Sequence, residues 1–284
     1  MRDTARAART TAHALEGAAP PRPAPDPGRL RLLTFNIQAA VASTRPHHYL
    51  TRGWKHVLPH PSSFENLDRI ARLVADHHIV GVQEADAGSL RSYFVNQVEY
   101  LARRAQFPYW HCQTNRRLGR IARHSNGLLA RLRPAAVEDH RLPGPIPGRG
   151  ALLARFPLEG GGRAGEELAV MLVHLALGRR ARARQLAFVA ERIAALPLVV
   201  VMGDFNCRSR SREMRAFLAR TGLVESAPGQ PTFPSWQPQR GIDHVLVSPA
   251  LRVERARVLI PAVSDHLPVS VELRLPEGLR RPEG

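Results

Sequence analysis

Lysine is almost missing from this chain: Lys55 is the only one, although Lys and Arg together number 41. Cysteine is scarce too. Cys112 and Cys207 are too few for a disulfide framework, no Cys-x-x-Cys or Cys/His spacing suggests a structural zinc, and the pair suits a reducing compartment. Aromatic residues make up only 6%, and 24 acidic residues leave a formal net charge of +17. Apolar runs stop far short of the roughly 18 residues that a membrane-spanning helix needs. Residues 1–29 hold no apolar core of a secretory signal. Their Arg and Thr with few acids faintly resemble a transit peptide, but their Ala and Pro content predicts a disordered tail. A cytoplasmic protein is expected.

What is present reads as one large domain. Hydrophobic residues form 44% of 284, enough for a sizeable core, and neither a repeat nor a linker divides the chain. The domain is expected over 30–276, with a C-terminal tail at 277–284. The positive charge suits polyanionic partners such as nucleic acid or an anionic membrane surface. Nearly exclusive use of arginine also fits the base composition of a genome, so charge permits these partners without selecting one. Nothing in the chain asks for a protein partner, and a monomer is expected.

The chain is organised around 198–208, LVVVMGDFNCR. Four apolar residues, three of them valine, read as a short strand buried on both faces that ends at Gly203. Asp204 and Asn206 follow two residues apart and so lean toward one side of an extended backbone. Strands are predicted at 30–37, 79–84, 151–156, 167–174, 242–247 and 269–275, with a strand pair at 109–113 and 125–132. The strands 151–156 and 167–174 flank a glycine turn at 160–162. Helical spacing predicts helices at 64–77, with Ser62 or Ser63 as cap, and at 90–105, 180–195 and 214–221. Residues 45–61 carry His47, His48, His56 and His60 with Tyr49, Trp54 and Lys55 and show no period. They read as an irregular, substrate-facing loop that suits a phosphate or lipid headgroup, because its histidines lack the spacing of a metal ligand set. Mixed strands and helices along the whole length predict an α/β or α+β domain.

One pattern recurs: a buried strand, then a polar residue at or just past its end. The residues are Asn36, Glu84, His174, Asp204 with Asn206, Asp243, and Asp265 with His266. Each alone is explained by a cap or a turn. Together they hold what metal-assisted phosphoester hydrolysis requires. Carboxylate and amide oxygens suit Mg²⁺, and Glu84, Asn36 and Asp265 supply them. Asp204 is the candidate base for an attacking water. Asn206 and a histidine suit the charge that gathers on the non-bridging oxygens in the transition state. Asp243 and His266 suit a carboxylate–imidazole pair that fixes one tautomer.

TFNI, VQE, VHL, GDFN, IDHV and SDHLPV, in this order, resemble the endonuclease/exonuclease/phosphatase superfamily, which includes DNase I-like nucleases, abasic-site endonucleases, neutral sphingomyelinases and inositol-polyphosphate phosphatases. The resemblance implies a four-layer α/β/β/α sandwich, two packed β-sheets flanked by helices, with the site at one end of the sheets. It implies Mg²⁺, with Mn²⁺ as a substitute, held by Asn36, Glu84 and Asp265. It implies His174 on the phosphate or leaving group, Asp204 orienting or deprotonating water, Asn206 gripping the phosphate, and His266 as the catalytic imidazole oriented by Asp243. SNGLL is similar to the family's Gly-Asn-x-x-Leu segment and puts Asn126 near the substrate. Gln38 stands where some abasic-site endonucleases carry an acid, and their active-site tyrosine has no counterpart here; both count against abasic-site repair. The expected activity is a phosphodiesterase acting on a phospholipid headgroup or another small diester. A DNA or RNA nuclease is the alternative, and a catalytically silent anion- or membrane-binding module a third reading.

Overall fold

The computed structural model describes residues 8–10, 13–14, 26–41, 59–145, 147–160, 166–261 and 263–282. Its two large sheets are built from twelve strands that follow residue 28: Arg29–Asn36 (β1), Ile79–Asp86 (β2), Tyr109–Leu118 (β3), Ala122–Ala130 (β4), Ala136–Arg141 (β5), Gly150–Pro157 (β6), Glu167–His174 (β7), Leu198–Asp204 (β8), Val224–Glu225 (β9), Asp243–Val247 (β10), Arg252–Val258 (β11) and Val269–Arg274 (β12). The α-helices among the described residues are Ser62–Val74 (α1), Gln97–Arg104 (α2), Arg179–Ile193 (α3) and Arg212–Thr221 (α4).

One sheet has the order β11-β12-β1-β2-β4-β3 and the other β5-β6-β7-β8-β10-β9. Each holds a single parallel pair, β1 with β2 and β7 with β8, and all other neighbours are antiparallel. A parallel pair needs a crossover, and α1 and α3 supply one each. Short N-terminal strands add an edge to both sheets: Ala8–Thr10 lies against β5 and His13–Ala14 against β3. The rest of the 1–25 stretch lies outside the described residues, as does the 45–61 loop up to residue 58.

The sheets pack face to face because side chains alternate along each strand. Leu30 and Leu32 of β1 join Val200 and Met202 of β8 in the core between the sheets. Leu33 and Phe35 point the other way, onto Leu67, Ile70 and Val74 of α1. In the second sheet Val199 and Val201 meet Leu186 and Val189 of α3 and Phe217 of α4. Both faces of the central strands are therefore covered, which is why they read as continuous apolar runs. The result is the four-layer sandwich.

Local details depart from the sequence expectations. Helix α1 begins at Ser62, with Pro61 at its cap and no side-chain cap hydrogen bond. The single helix expected over 90–105 is a 3₁₀ turn, Leu90–Ser92, followed by Tyr93 and Phe94 at φ of 53° and 60°. Helix α2 starts only at Gln97, where Asn96 accepts from Val98 N and Glu99 N. The pair around 109–132 is a longer hairpin than its apolar residues suggested, and β5 and β11 were not expected at all. Strand β11, RVERARV, is an edge strand in which Val253, Ala256 and Val258 pack half-buried on the core across a register shift that blurs its apolar alternation.

Candidate active site

Parallel strands deliver their C-terminal ends to one edge, and the polar residues gather there. Asn36 closes β1 opposite Gln83 of β2. Just beyond, the register of β2 with β4 shifts between Val82 and Ala85, and Glu84 takes a φ of 57°. The left-handed conformation costs a non-glycine residue about 1 kcal/mol or more. Gln83 stays buried, its Nε2 donating to Thr34 Oγ1 at 3.0 Å, while the half-buried Glu84 faces the site.

In the other sheet His174 and Asp204 are register partners at the ends of β7 and β8. Gly203 before Asp204 has a φ of 145°, and a Cβ there would overlap the carbonyl oxygen of Val173. Glycine lets β8 run this close to β7. Asn206, at a φ of 52°, donates its backbone N–H to Asp204 Oδ1 (2.9 Å) and its Nδ2 to Leu175 O (2.9 Å).

The two sheets meet through these side chains. Asn36 Nδ2 donates to Asp204 Oδ2 at 3.1 Å. His174 Nε2 lies 3.5 Å from Asp204 Oδ2 and 3.7 Å from Glu84 Oε1. His266 Nδ1 is 2.9 Å from Asp243 Oδ2, which also accepts from Thr232 Oγ1 at 2.6 Å. Ligating atoms of Glu84, His174 and Asp204 fall within 4.8 Å of one another, and so do those of Asp204, Asp243 and His266. Asp204 is the residue the two groups share.

Charge is distributed unevenly. Burial pushes the Asp204 carboxyl up to about 7, with Asp243 and Glu84 adding to the rise against the opposing pull of His266. Burial also disfavours the His266 imidazolium, but the carboxylates of Asp243, Asp204 and Asp265 outweigh it and hold that group up at about 10. His174 is driven down to about 3 by burial and by the Arg149 guanidinium. Burial raises Glu84, yet His174, His266 and a hydrogen bond from Asn36 keep it below its ordinary value. The site thus holds one charged imidazole, one neutral imidazole, and a carboxyl poised near neutrality.

Asp265 stands outside both groups. It is buried, accepts from Gln38 Nε2 at 3.0 Å, and follows Ser264, whose Oγ donates to Asn36 O at 2.7 Å. Gln38 Oε1 is buried and without a partner. Asn126 is fully buried, one residue from the site-facing Ser125; its Nδ2 donates to Gly150 O (3.1 Å) and Gln113 Oε1 (3.3 Å), and its Oδ1 is unpaired. These bonds hold it against β6 and β3, where Gly150 follows Arg149, the residue that contacts His174. The carboxylate oxygens of Glu84 and Asp204, which fall within 4.8 Å of each other, are of the type a hard divalent cation takes. The residues fit such an ion.

Four further residues make contacts that the sequence did not assign: Gln38 and Ser264, which join Asp265 to β1; Thr232, which holds Asp243; and Arg149, which contacts His174 Nε2. Arg149 sits in a Pro- and Gly-rich stretch where nothing but its charge could have marked it.

Residues 33–266 match the sequence model described as "Endonuclease/Exonuclease/phosphatase family". An Escherichia coli protein described as uncharacterized, YbhP, is 36% identical over 124 residues, 39% of this chain and 48% of that protein. The chain therefore matches about half the length of its curated relatives. Among solved structures, an endonuclease/exonuclease/phosphatase from Beutenbergia cavernae superposes with a TM-score of 0.69 at 22% identity, covering 88% of this chain and 72% of that one. A mannosyl-6-phosphatase of Bacteroides thetaiotaomicron gives 0.63 at 21% identity over 86% and 99%.

Proposed function

From the premise that the chain belongs to the endonuclease/exonuclease/phosphatase family, whose members hydrolyse phosphoesters, we propose that it is a Mg²⁺-dependent phosphodiesterase using water as nucleophile. The observation that carries this reading is the position of Asp204, flanked by the Asp243–His266 pair on one side and by Glu84 and His174 on the other.

Asn36, Glu84 and Asp265 are the residues that would hold the cation. Bound there, Mg²⁺ supplies Lewis-acid stabilisation of phosphoryl charge. Asp204, with a carboxyl near neutrality, takes a proton from the attacking water. His266 stays charged because Asp243 faces its Nδ1, so its other nitrogen offers a proton to a phosphoryl oxygen. Neutral His174 and the adjacent Arg149 place a donor surface beside Glu84 for the phosphate or the leaving group. Asn206, pinned by its bond to Leu175 O, is held ready to contact the phosphate.

The charge of +17 favours nucleic acid as a second substrate reading. The test is hydrolysis of bis(p-nitrophenyl) phosphate with Mg²⁺, Mn²⁺ or EDTA, by wild type and His266→Ala, beside plasmid DNA and mixed phospholipid. Metal-dependent turnover lost in the variant supports the reading, and the natural substrate that is cut selects diesterase or nuclease. A folded protein that turns over none of them overturns it.

A further inference from the structure

Beside the catalytic centre lies a cavity of about 410 Å³ that shares Glu84 and His174 with it. Among the described residues its remaining charged and titratable walls are Arg116 from β3, His124 from β4 and Arg149 at the entry to β6, with Glu84 the only acidic one. We propose that this cavity binds a second anionic group of the substrate, a phosphate or carboxylate a few ångströms from the ester that is cut. The proposal rests on the hydrolase reading above and narrows its substrate class.

Three independent observations support it. The first is an excess of basic side chains on the walls. Among the described residues the side chains of Arg116 and His124 make no ion pair or hydrogen bond; Asp204 and Glu84 offset the charge of Arg149, which leaves the exposed Arg116 guanidinium without a carboxylate partner at the cavity wall. Groups of one sign that converge on a hollow raise each other's energy, and an anion entering it relieves them.

The second is α3, which opens onto the cavity at Gly178. This N-terminus has no side-chain cap and no acidic residue in its first turn; Arg179, Arg180 and Arg182 stand there instead. Cations at the positive end of a helix run against the usual preference, and free N–H groups at that end accept an anion.

The third is size. A volume of this order suits part of a small molecule, and among the described residues the walls carry no Phe, Tyr or Trp, the imidazoles of His124 and His174 being their only rings.

The probe pair is propyl phosphate and 1,3-propanediol bisphosphate, which differ only in the second phosphate. Calorimetric titration of the full chain in EDTA separates binding from catalysis. Wild type is expected to bind the bisphosphate about tenfold or more tightly than the monophosphate, the scale of one charge-assisted hydrogen-bond set. Arg116→Ala, at an exposed position with no partner to lose, is expected to shrink that preference to a few-fold, and Arg116→Glu to abolish it. A 5′-phosphorylated dithymidylate forms a further arm. If it shows the same Arg116-dependent gain at higher affinity, the second phosphate belongs to a polynucleotide; if the alkyl bisphosphate binds tighter, it belongs to a small molecule.

Equal affinity for the two alkyl phosphates in wild type, or a preference untouched in Arg116→Glu, overturns the proposal. Turnover of bis(p-nitrophenyl) phosphate by wild type with Mg²⁺, run in parallel, keeps the two readings apart. Turnover without the binding preference sinks only the subsite. A preference without turnover sinks only the hydrolase.

Discussion

His266 Nδ1 faces both carboxylate oxygens of Asp243, at 2.9 and 3.1 Å, and Thr232 Oγ1 fixes that carboxylate from behind at 2.6 Å. All three residues are buried, so the pair keeps its geometry and its charge without help from solvent. Asp243→Asn preserves the shape and removes the charge that holds the His266 proton. It is expected to lower kcat by roughly 10²- to 10⁴-fold while KM changes by a few-fold at most. Steady-state kinetics on bis(p-nitrophenyl) phosphate, with circular dichroism as a fold control, decides it; an unchanged kcat would remove His266 from the chemistry.

The two site imidazoles should titrate far apart. In metal-free protein His266 is expected to stay protonated until about pH 10, and His174 to stay neutral down to about pH 3. Histidine side-chain NMR, assigned with His266→Ala and His174→Ala, reads both midpoints. Two ordinary midpoints near 6.5 would mean that Asp243 and Arg149 do not set the charges described above.

Cation dependence should follow the carboxylates. EDTA is expected to abolish turnover and Mg²⁺ or Mn²⁺ to restore it. Glu84→Gln should raise the Mg²⁺ concentration needed for half-maximal rate by about tenfold or more, since even indirect support of a bound metal is worth that much. A Mg²⁺ titration of turnover in both proteins checks this, and superimposable curves would free Glu84 of the role.

Gly203→Ala should fail locally before it fails globally. Its Cβ would overlap Val173 O, so β7 and β8 must part where His174 and Asp204 stand side by side. A loss of about 2–4 kcal/mol is expected from strain and a broken close approach. Thermal melts measure it, and a variant with wild-type Tm and kcat would refute the account.

Acid should unfold the domain from the opposite end of β2. His77 and His78, just before Ile79, are driven by burial down to about 4 and about 3. His78 Nδ1 accepts from Arg31 N at 2.9 Å and so must be unprotonated in the fold. The unfolded chain binds these protons near pH 6.5 and the folded one only near 4 or below, so stability is complete above that window and falls as pH drops through it. Between pH 7.5 and 4.5 each histidine accounts for at most about 3 kcal/mol. Denaturant titrations at pH 7.5 and 4.5 should show the loss, and His78→Gln, which keeps an acceptor, should show less of it.

Much of this was legible before any coordinates. Asp204, Glu84, Asn36 and the Ser264-Asp265-His266 run were visible because polar residues interrupt apolar strands that nothing else ends. Gly203 was visible as a stop but not as a close approach, since contact with Val173 is a property of the neighbouring strand. Arg149 and Thr232 act through partners 25 and 11 residues away in sequence and carry no local pattern. The break at Tyr93 and Phe94 was hidden because two aromatic residues, not glycines, take the left-handed turn. Strand β11 was hidden because a register shift blurs the apolar alternation of this arginine-rich edge strand.

The 3.1 Å bond from Asn36 to Asp204 joins the end of one sheet to the end of the other. In the proposed hydrolase, a catalytic group is therefore a rivet across the seam of the sandwich. Slippage of the sheets by an ångström, too little to alter either sheet's own ladder, separates the ion-holding half of the site from its proton-handling half. Heat inactivation should accordingly run ahead of the far-ultraviolet melting curve, and enzymatic rate becomes a finer gauge of how the two sheets are seated than any measure of secondary structure.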